Sequence, residues 1–218
     1  MRMALINRSG EDLGFDLGDY AHTLNEYNRL LVSFWGPAAA VTCYHAQHFG
    51  PYRWAMVFLK HSDDPGALAY HLTTDYGTPL AKVFVDTDRE QGADLSLSAS
   101  HEFGETCIDP DINRLVHGPA GLYAVEPMDP VENQYFTLNG FQMSNFVTPA
   151  WYQSFQAPGS VQFDYLRQLT RPFELTPGGY QSVYTDGQWT NVFGSEAKAA
   201  AFARENRRGH RSEARKPM

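Results

Sequence analysis

Two cysteines in 218 residues, Cys43 and Cys107, are too few for a disulfide framework, and both thiols are expected to be reduced. No window approaches the roughly twenty apolar residues of a membrane-spanning helix. The opening stretch MRMALINRSGEDLG has no apolar h-region of the kind a secretory signal carries. A soluble protein of the cytoplasm is the expectation. Positive charge is scarce as well: 17 Lys and Arg against 25 Asp and Glu leave a net charge of -8, which argues against a broad nucleic-acid surface. The exception is the locally basic stretch from Arg204 to Lys216, which reads as an appendage able to dock on an acidic partner. No internal repeat is visible. What the chain does carry is 43% apolar and 14% aromatic residues, enough to bury a substantial core.

Residues 1–24 are polar with several Gly and Asp and are expected to form an N-terminal segment. Leu24 to Trp35 reads as a short helix or a helix-to-strand passage. Ala38 to His45 and Arg53 to His61 are β-rich runs separated by Phe49-Gly50-Pro51, so two strands and a turn are expected. Ala67 to His71 and Ala81 to Asp86 form a further pair, with Pro79 placing the second of them at an edge, since proline cannot donate to a ladder. Thr87 to Asp94 reads as a charged loop, Leu95 to Asp109 as a helix ended by Pro110, and Asp109 to Gly121 as an irregular connection. Asn139-Gly140 and Asp186-Gly187 each sit between apolar runs and predict hairpins. Glu196 to Glu205 is a short Ala-rich helix. The domain expected on this reading spans 25–194, with 195–218 as helix and basic tail.

The chemistry concentrates in Ser100-His101-Glu102-Phe103-Gly104-Glu105-Thr106-Cys107-Ile108-Asp109-Pro110. Residues four apart share a helix face, so His101 and Glu105 can reach a single cation while Glu102 points beside it. H-E-x-x-H uses that spacing for zinc, with its Glu as general base on a metal-bound water. Here the second His is a Glu. Asp109 lies two turns beyond His101, rotated by about 80° at 3.6 residues per turn, and competes for the place of third ligand. Leu122 to Glu132 brings three more carboxylates, Glu126, Asp129 and Glu132.

The pattern His101-Glu102-x-x-Glu105 followed by Glu126 resembles a variant of the zincin metallopeptidases. The wider pattern resembles a group of uncharacterised tailed-phage and prophage proteins carrying S-H-E-x-x-E-x-x-x-D-P, over roughly residues 67–180. The resemblance implies an α+β fold of zincin-like kind: a mixed sheet, an edge strand preceding the metal-binding helix, then β-hairpins. It implies His101, Glu105 and Glu126 as ligands, Glu126 standing 21 residues beyond Glu105 as the downstream glutamate does in enzymes of the thermolysin type. It also implies Glu102 as general base, with Asp109, Asp129 and Glu132 as additional ligands or as groups orienting them. Zinc is the expected metal. A single-His, carboxylate-rich set also suits calcium or manganese.

The function expected is a phage-derived, metal-dependent peptidase. The alternative is a virion structural or assembly protein that keeps the scaffold with an inactive or structural metal site. A small-molecule metallohydrolase is a third reading, since nothing defines a peptide subsite. Peptide substrate or phage structural proteins are the expected partners, without a membrane, in the host cytoplasm or carried into the virion.

Other candidates are weaker, because bland readings account for them. His45, His48, His61 and His71 sit on or beside expected strands, where histidines are more often surface or core-edge residues than ligands; His71 is the best placed. Tyr152 or Tyr180 can stabilise an oxyanion, although most hairpin tyrosines pack. Trp151, Tyr152 and Phe155 read as core before pocket. Gly178-Gly179 reads as a turn, and Cys107 as a buried, inert thiol facing away from the ligands.

Overall fold

The computed structural model describes residues 1–48, 54–64 and 67–205. The protein is α+β, with a mixed sheet and four helices among the described residues, and divides into two compact units. The first comprises Met1–Asp111 and Tyr135–Met143, the second Ile112–Gln134 and Ser144–Met218.

The first unit is built on five strands, β1 (Arg2–Asn7), β2 (Thr42–His45), β3 (Trp54–Leu59), β4 (Ala69–Thr73) and β5 (Pro79–Phe84), in the order β2-β1-β3-β5-β4. All neighbours run parallel except β4, which pairs antiparallel with β5 and forms one edge. A strand buried on both faces needs an unbroken apolar run, and β1 supplies it: Met3, Ala4, Leu5 and Ile6 are all fully buried. The register aligns Leu5 with Met56, Met56 with Ala81 and Ala81 with His71. These four residues therefore form one row across the sheet, apolar until it ends in an imidazole. Ala4, Ile6, Ala55 and Val57 make the core of the opposite face.

The first unit also holds α1 (Leu17–Trp35), α2 (Val85–Gln91), α3 (Leu95–Ile108) and a separate hairpin of β8 (Tyr135–Leu138) with β9 (Phe141–Ser144). The Asp16 carboxylate caps α1 by accepting from the Gly18 and Asp19 amides at 2.7 and 3.1 Å. Asp94 caps α3 through the amides of Ser96 and Leu97. Each cap satisfies donors that a helix start leaves without intrahelical partners. Helix α1 packs on α3 through Tyr27 against Phe103, rings 6.3 Å apart, and through the Tyr20 hydroxyl, which donates to the Ser96 carbonyl at 2.7 Å. Buried Asn28 ties three elements: its amide nitrogen donates to the Ala39 carbonyl at 2.9 Å and faces Cys107 Sγ at 3.5 Å, while its oxygen accepts from the Val41 amide.

The second unit holds a four-stranded antiparallel sheet of β6 (Leu115–Gly118), β7 (Gly121–Ala124), β10 (Tyr180–Thr185) and β11 (Gln188–Phe193), ordered β11-β10-β7-β6, and a terminal helix α4 (Glu196–Glu205). Its core is centred on fully buried Trp151, whose ring meets Tyr123, Tyr152 and Phe173 and whose indole N–H donates to the Glu174 carbonyl at 2.7 Å.

Both hairpins sit where the turn dipeptides place them. Asn139 and Gly140, like Asp186 and Gly187, have positive φ at both positions, as a tight hairpin turn requires. Several expectations need correction. Residues 1–24 are not an appended segment, because β1 lies inside the sheet and α1 starts at Leu17, well before Leu24. The edge strand is β4, whereas β5 is internal; Pro79 is tolerated there because the pairing of β3 with β5 begins at Leu80. Thr87 to Asp94 is largely helix α2, stopped by Gly92 in the left-handed conformation at φ 66°. The connection after Asp109 contains β6. The turn at Phe49-Gly50-Pro51, and the basic tail from residue 206 onward, lie outside the described residues.

One buried group carries a stability consequence. Asp88 of α2 is fully buried; Ser98 donates to its Oδ1 at 2.6 Å, and Oδ2 has no hydrogen-bond partner among the described residues. Burial pushes its carboxyl up to about 7, with the nearby Asp94 charge adding to the rise. A carboxyl that holds its proton more tightly when folded gives stability that is complete below about pH 4 and is lost as pH rises towards 7. A shift of that size corresponds to as much as about 4 kcal/mol. Denaturant midpoints measured between pH 4 and 8 should therefore fall less steeply for Asp88→Asn than for the parent chain. Parallel profiles for the two would remove Asp88 from the account.

Candidate metal centre

Helix α3 supplies most of the site. Its buried residues include the small Ser96, Ala99, Ser100 and Gly104, which allow close packing, and Phe103 anchors it with no exposed surface. The Thr106 hydroxyl donates to the Glu102 carbonyl at 2.7 Å, and the Asp109 amide donates to the Glu105 carbonyl at 2.7 Å, closing the helix at its cap. The turn bearing the chemistry is thus held at both ends.

On this helix His101 Nε2 stands 3.3 Å from Glu105 Oε1, one turn apart as the spacing requires. Donor atoms of His101, Glu102 and Glu105 all lie within 4.8 Å of one another. The strand β4 adds a fourth group. His71 Nδ1 is 3.2 Å from Glu102 Oε2 and 3.7 Å from Glu105 Oε2, while its Nε2 lies 3.3 Å from the Asp109 carbonyl. The cluster is enclosed: the side chains of His71 and Glu105 are fully buried, Glu102 is 6% exposed, and His101 at 17% provides its outward side.

A carbonyl oxygen faces His71 Nε2 and a carboxylate faces Nδ1, and both accept, so the ring either donates from both nitrogens as an imidazolium or, as a neutral ring beside a cation, donates from Nε2 to Asp109. In the neutral ring Nδ1 then carries its lone pair, aimed at two carboxylates. Three electron-rich groups converging out of water require a positive charge among them, from a proton or from a cation. The spacings suit a metal. One donor atom from each of His101, Glu102 and Glu105 lies within 4.8 Å of the other two, close enough to share one ion. The backbone carbonyl on the far nitrogen is the usual way in which a protein orients an imidazole ligand.

No family model, curated protein or solved structure matches this chain. The reading of the site therefore rests on its own geometry.

Of the residues expected from sequence, His101, Glu102 and Glu105 are brought together. Asp109 lies at the end of the same helix, buried, and takes part through its backbone carbonyl. Glu126, Asp129 and Glu132 belong to the second unit. Glu126 follows β7 and is buried, as is Asp129 in a short 3-10 turn. Glu132 accepts from Lys198 Nζ at 2.6 Å, an ion pair within that unit. Trp151 and Tyr152 are core residues and Phe155 is 79% exposed, so these three do not form a common pocket wall. Tyr180 packs against Phe193 and Phe202. Gly178 and Gly179 press against backbone, where a side chain on Gly179 would meet the Pro130 carbonyl at 2.1 Å. His45 and His48 are exposed, the latter facing Arg8 Nη2 at 3.1 Å, and exposed His61 pairs with Asp86. His71 is the residue that sequence reasoning ranked too low. The signal lay in register, because only the alignment of β4 with β5 places it opposite Ala81 on the buried face.

Cys107, two residues beyond Glu105, is buried and stays out of the cluster; burial holds its thiol well above the ordinary range, and burial likewise pushes the Cys43 thiol up. Thiolate, rather than thiol, is the nucleophile. Neither cysteine should react with an aromatic disulfide reagent at pH 8 in the folded chain, and both should react after denaturation. Rapid titration of one thiol in native buffer would contradict the closed packing of α3 on α1.

Proposed function

We propose that the chain is a zincin-like metalloprotein of phage origin in which α3 holds a divalent cation through His101 and Glu105, with Glu102 as proton acceptor in peptide-bond hydrolysis. The observation that carries the reading is the His101–Glu105 pair at 3.3 Å with Glu102 beside it on one helix. The phage origin, the peptide substrate and the part of Glu126 as third ligand come from the sequence resemblance. Zinc fits the donor set better than calcium, since calcium takes oxygen ligands and imidazole suits zinc; manganese is the second fit.

A bound zinc ion supplies Lewis acidity, lowering the pKa of water and polarising a carbonyl. The protein's own part is then proton handling. Glu102 is held by the turn that fixes His101 and Glu105, and its carboxylate takes a proton from water and delivers it to a leaving amine. General-base assistance of this kind contributes typically 10²–10⁴-fold.

A second reading has its own support. Structural metal sites are closed, whereas catalytic ones keep a position open to water and substrate. The full burial of Glu105 and the 6% exposure of Glu102 favour a closed site. On that reading the chain is a virion or assembly protein stabilised by its cation, with phage structural proteins as partners.

Metal-free protein titrated with zinc should bind it, and His101→Ala should weaken binding by tenfold or more. Glu126→Gln belongs in the same series, and unchanged affinity there would remove Glu126 from the ligand set. Against a broad peptide library, Glu102→Gln should still bind zinc but cleave at least a hundredfold more slowly than the parent chain. Equal background cleavage by both proteins would leave the closed-site reading. Absence of zinc binding by the parent chain would end the metal proposal altogether.

A further inference from the structure

We propose that β11 is a self-association edge, pairing antiparallel about a two-fold axis with β11 of a second copy of this chain. The strand is the outer one of the second unit's sheet, with β10 as its strand neighbour. An edge strand offers a row of backbone donors and acceptors to any other strand, and proteins guard such edges with charge, proline, brevity or a covering group. Strand β2 is guarded in this way: it is four residues long, and the Asn25 side chain of α1 donates to the Cys43 carbonyl at 3.1 Å and accepts from the Cys43 amide at 2.7 Å. At the far side of the second unit's sheet, β6 is also four residues long and ends in Gly118. Strand β11 instead runs for six residues, Gln188–Phe193, without charge, proline or glycine, and its side chains alternate between exposed and half-buried along its whole length.

The order of its residues selects the partner. About Asn191 the strand reads the same in kind in both directions: Thr190 and Val192 are β-branched, and Trp189 and Phe193 are aromatic. Residues directly opposite in an antiparallel pair project from the same face. With Asn191 opposite its own copy, Trp189 faces Phe193 of the partner subunit and Thr190 faces the partner's Val192, and the two-fold axis makes each contact twice. Aromatic pairs favour association across strands, and β-branched side chains pack well on a pleated surface. An isologous contact must complement itself, and a charge beside the axis would meet its own like; β11 carries none. The edge is also ordered in advance. Its register with β10 runs unbroken from Tyr180 opposite Phe193 to Thr185 opposite Gln188, and the Phe193 ring is braced by Tyr180 and Phe202. A strand already fixed on one side pays little to order itself on the other.

The test is the association state of the full chain. Sedimentation velocity over a concentration series should show a monomer–dimer equilibrium. Thr190→Lys combined with Val192→Lys sets like charges opposite one another across the axis and should raise the dissociation constant by roughly tenfold or more. Thr190→Lys combined with Val192→Glu sets lysine opposite glutamate in both contacts and should restore the dimer. Both positions are exposed in the single chain, so circular dichroism of the variants should match the parent. Thr190→Glu with Val192→Glu serves if the double lysine variant does not fold. A parent chain that stays monomeric throughout the series would overturn the proposal. A dimer that persists unweakened in the double lysine variant would overturn it too, by placing the contact elsewhere. A mixed-charge variant as monomeric as the double lysine one would overturn the pairing about Asn191.

Discussion

A carboxylate with no exposed surface, set between two imidazoles, is the constraint on which the first unit's arrangement of helix and sheet edge depends. Taking Glu105 out of water as an anion costs several kcal/mol unless charge and hydrogen-bonding capacity are returned to it. His101 returns them from the same helix and His71 from β4. The return depends on position: α3 must lie over β4 closely enough for contacts of 3.2 to 3.7 Å, and it must not rotate. Uncompensated charge would thus penalise any sliding of the helix along the strand, in a way that apolar contacts alone, being non-directional, do not.

The remaining packing delivers α3 to that position. The buried row of Leu5, Met56 and Ala81 runs across the sheet to His71, so the imidazole occupies the place an aliphatic side chain would otherwise fill. Asn28 joins α1 to Ala39, Val41 and Cys107, and Tyr20 joins α1 to the first turn of α3. These bonds fix the helix from the side opposite the strand. Phe103 of α3 packs towards α1, where its ring meets Tyr27.

The legible part of this design was local. The helix Leu95–Ile108, the two hairpins and the terminal helix follow from spacing, capping residues and turn dipeptides, all of which act within a few residues of chain. So does the pairing of His101 with Glu105. What could not be read depends on partners distant in sequence. The central place of β1 is set by pairing with β2 and β3, some 40 and 50 residues away, and its polar flanks disguise it. The edge position of β4 reverses the inference from Pro79, because a proline at a strand's first residue escapes the ladder in an internal strand too. Asp16 as a helix cap was hidden by Gly18, a poor helix former in the first turn. His71 was hidden for the same reason as β1: whether a strand residue faces a helix is decided by register, and a slip of one residue would have turned the imidazole to the other face.

Burial and chemistry pull the centre in opposite directions. Enclosure by α3 and β4 strengthens every charge interaction inside and orients His71 through the Asp109 carbonyl, which favours tight binding of a cation. The same enclosure limits the approach of a substrate to the side occupied by His101, the one member of the four with appreciable exposure. A catalytic reading therefore requires that the reacting bond approach past His101 and that Glu102, behind it, act at short range. A structural reading requires nothing further, since a cation held beside a buried Glu105 would satisfy it without ever being exchanged. What separates the two is the freedom of His101: if its ring is pinned by a cation it closes the site, and if it swings outward it opens one.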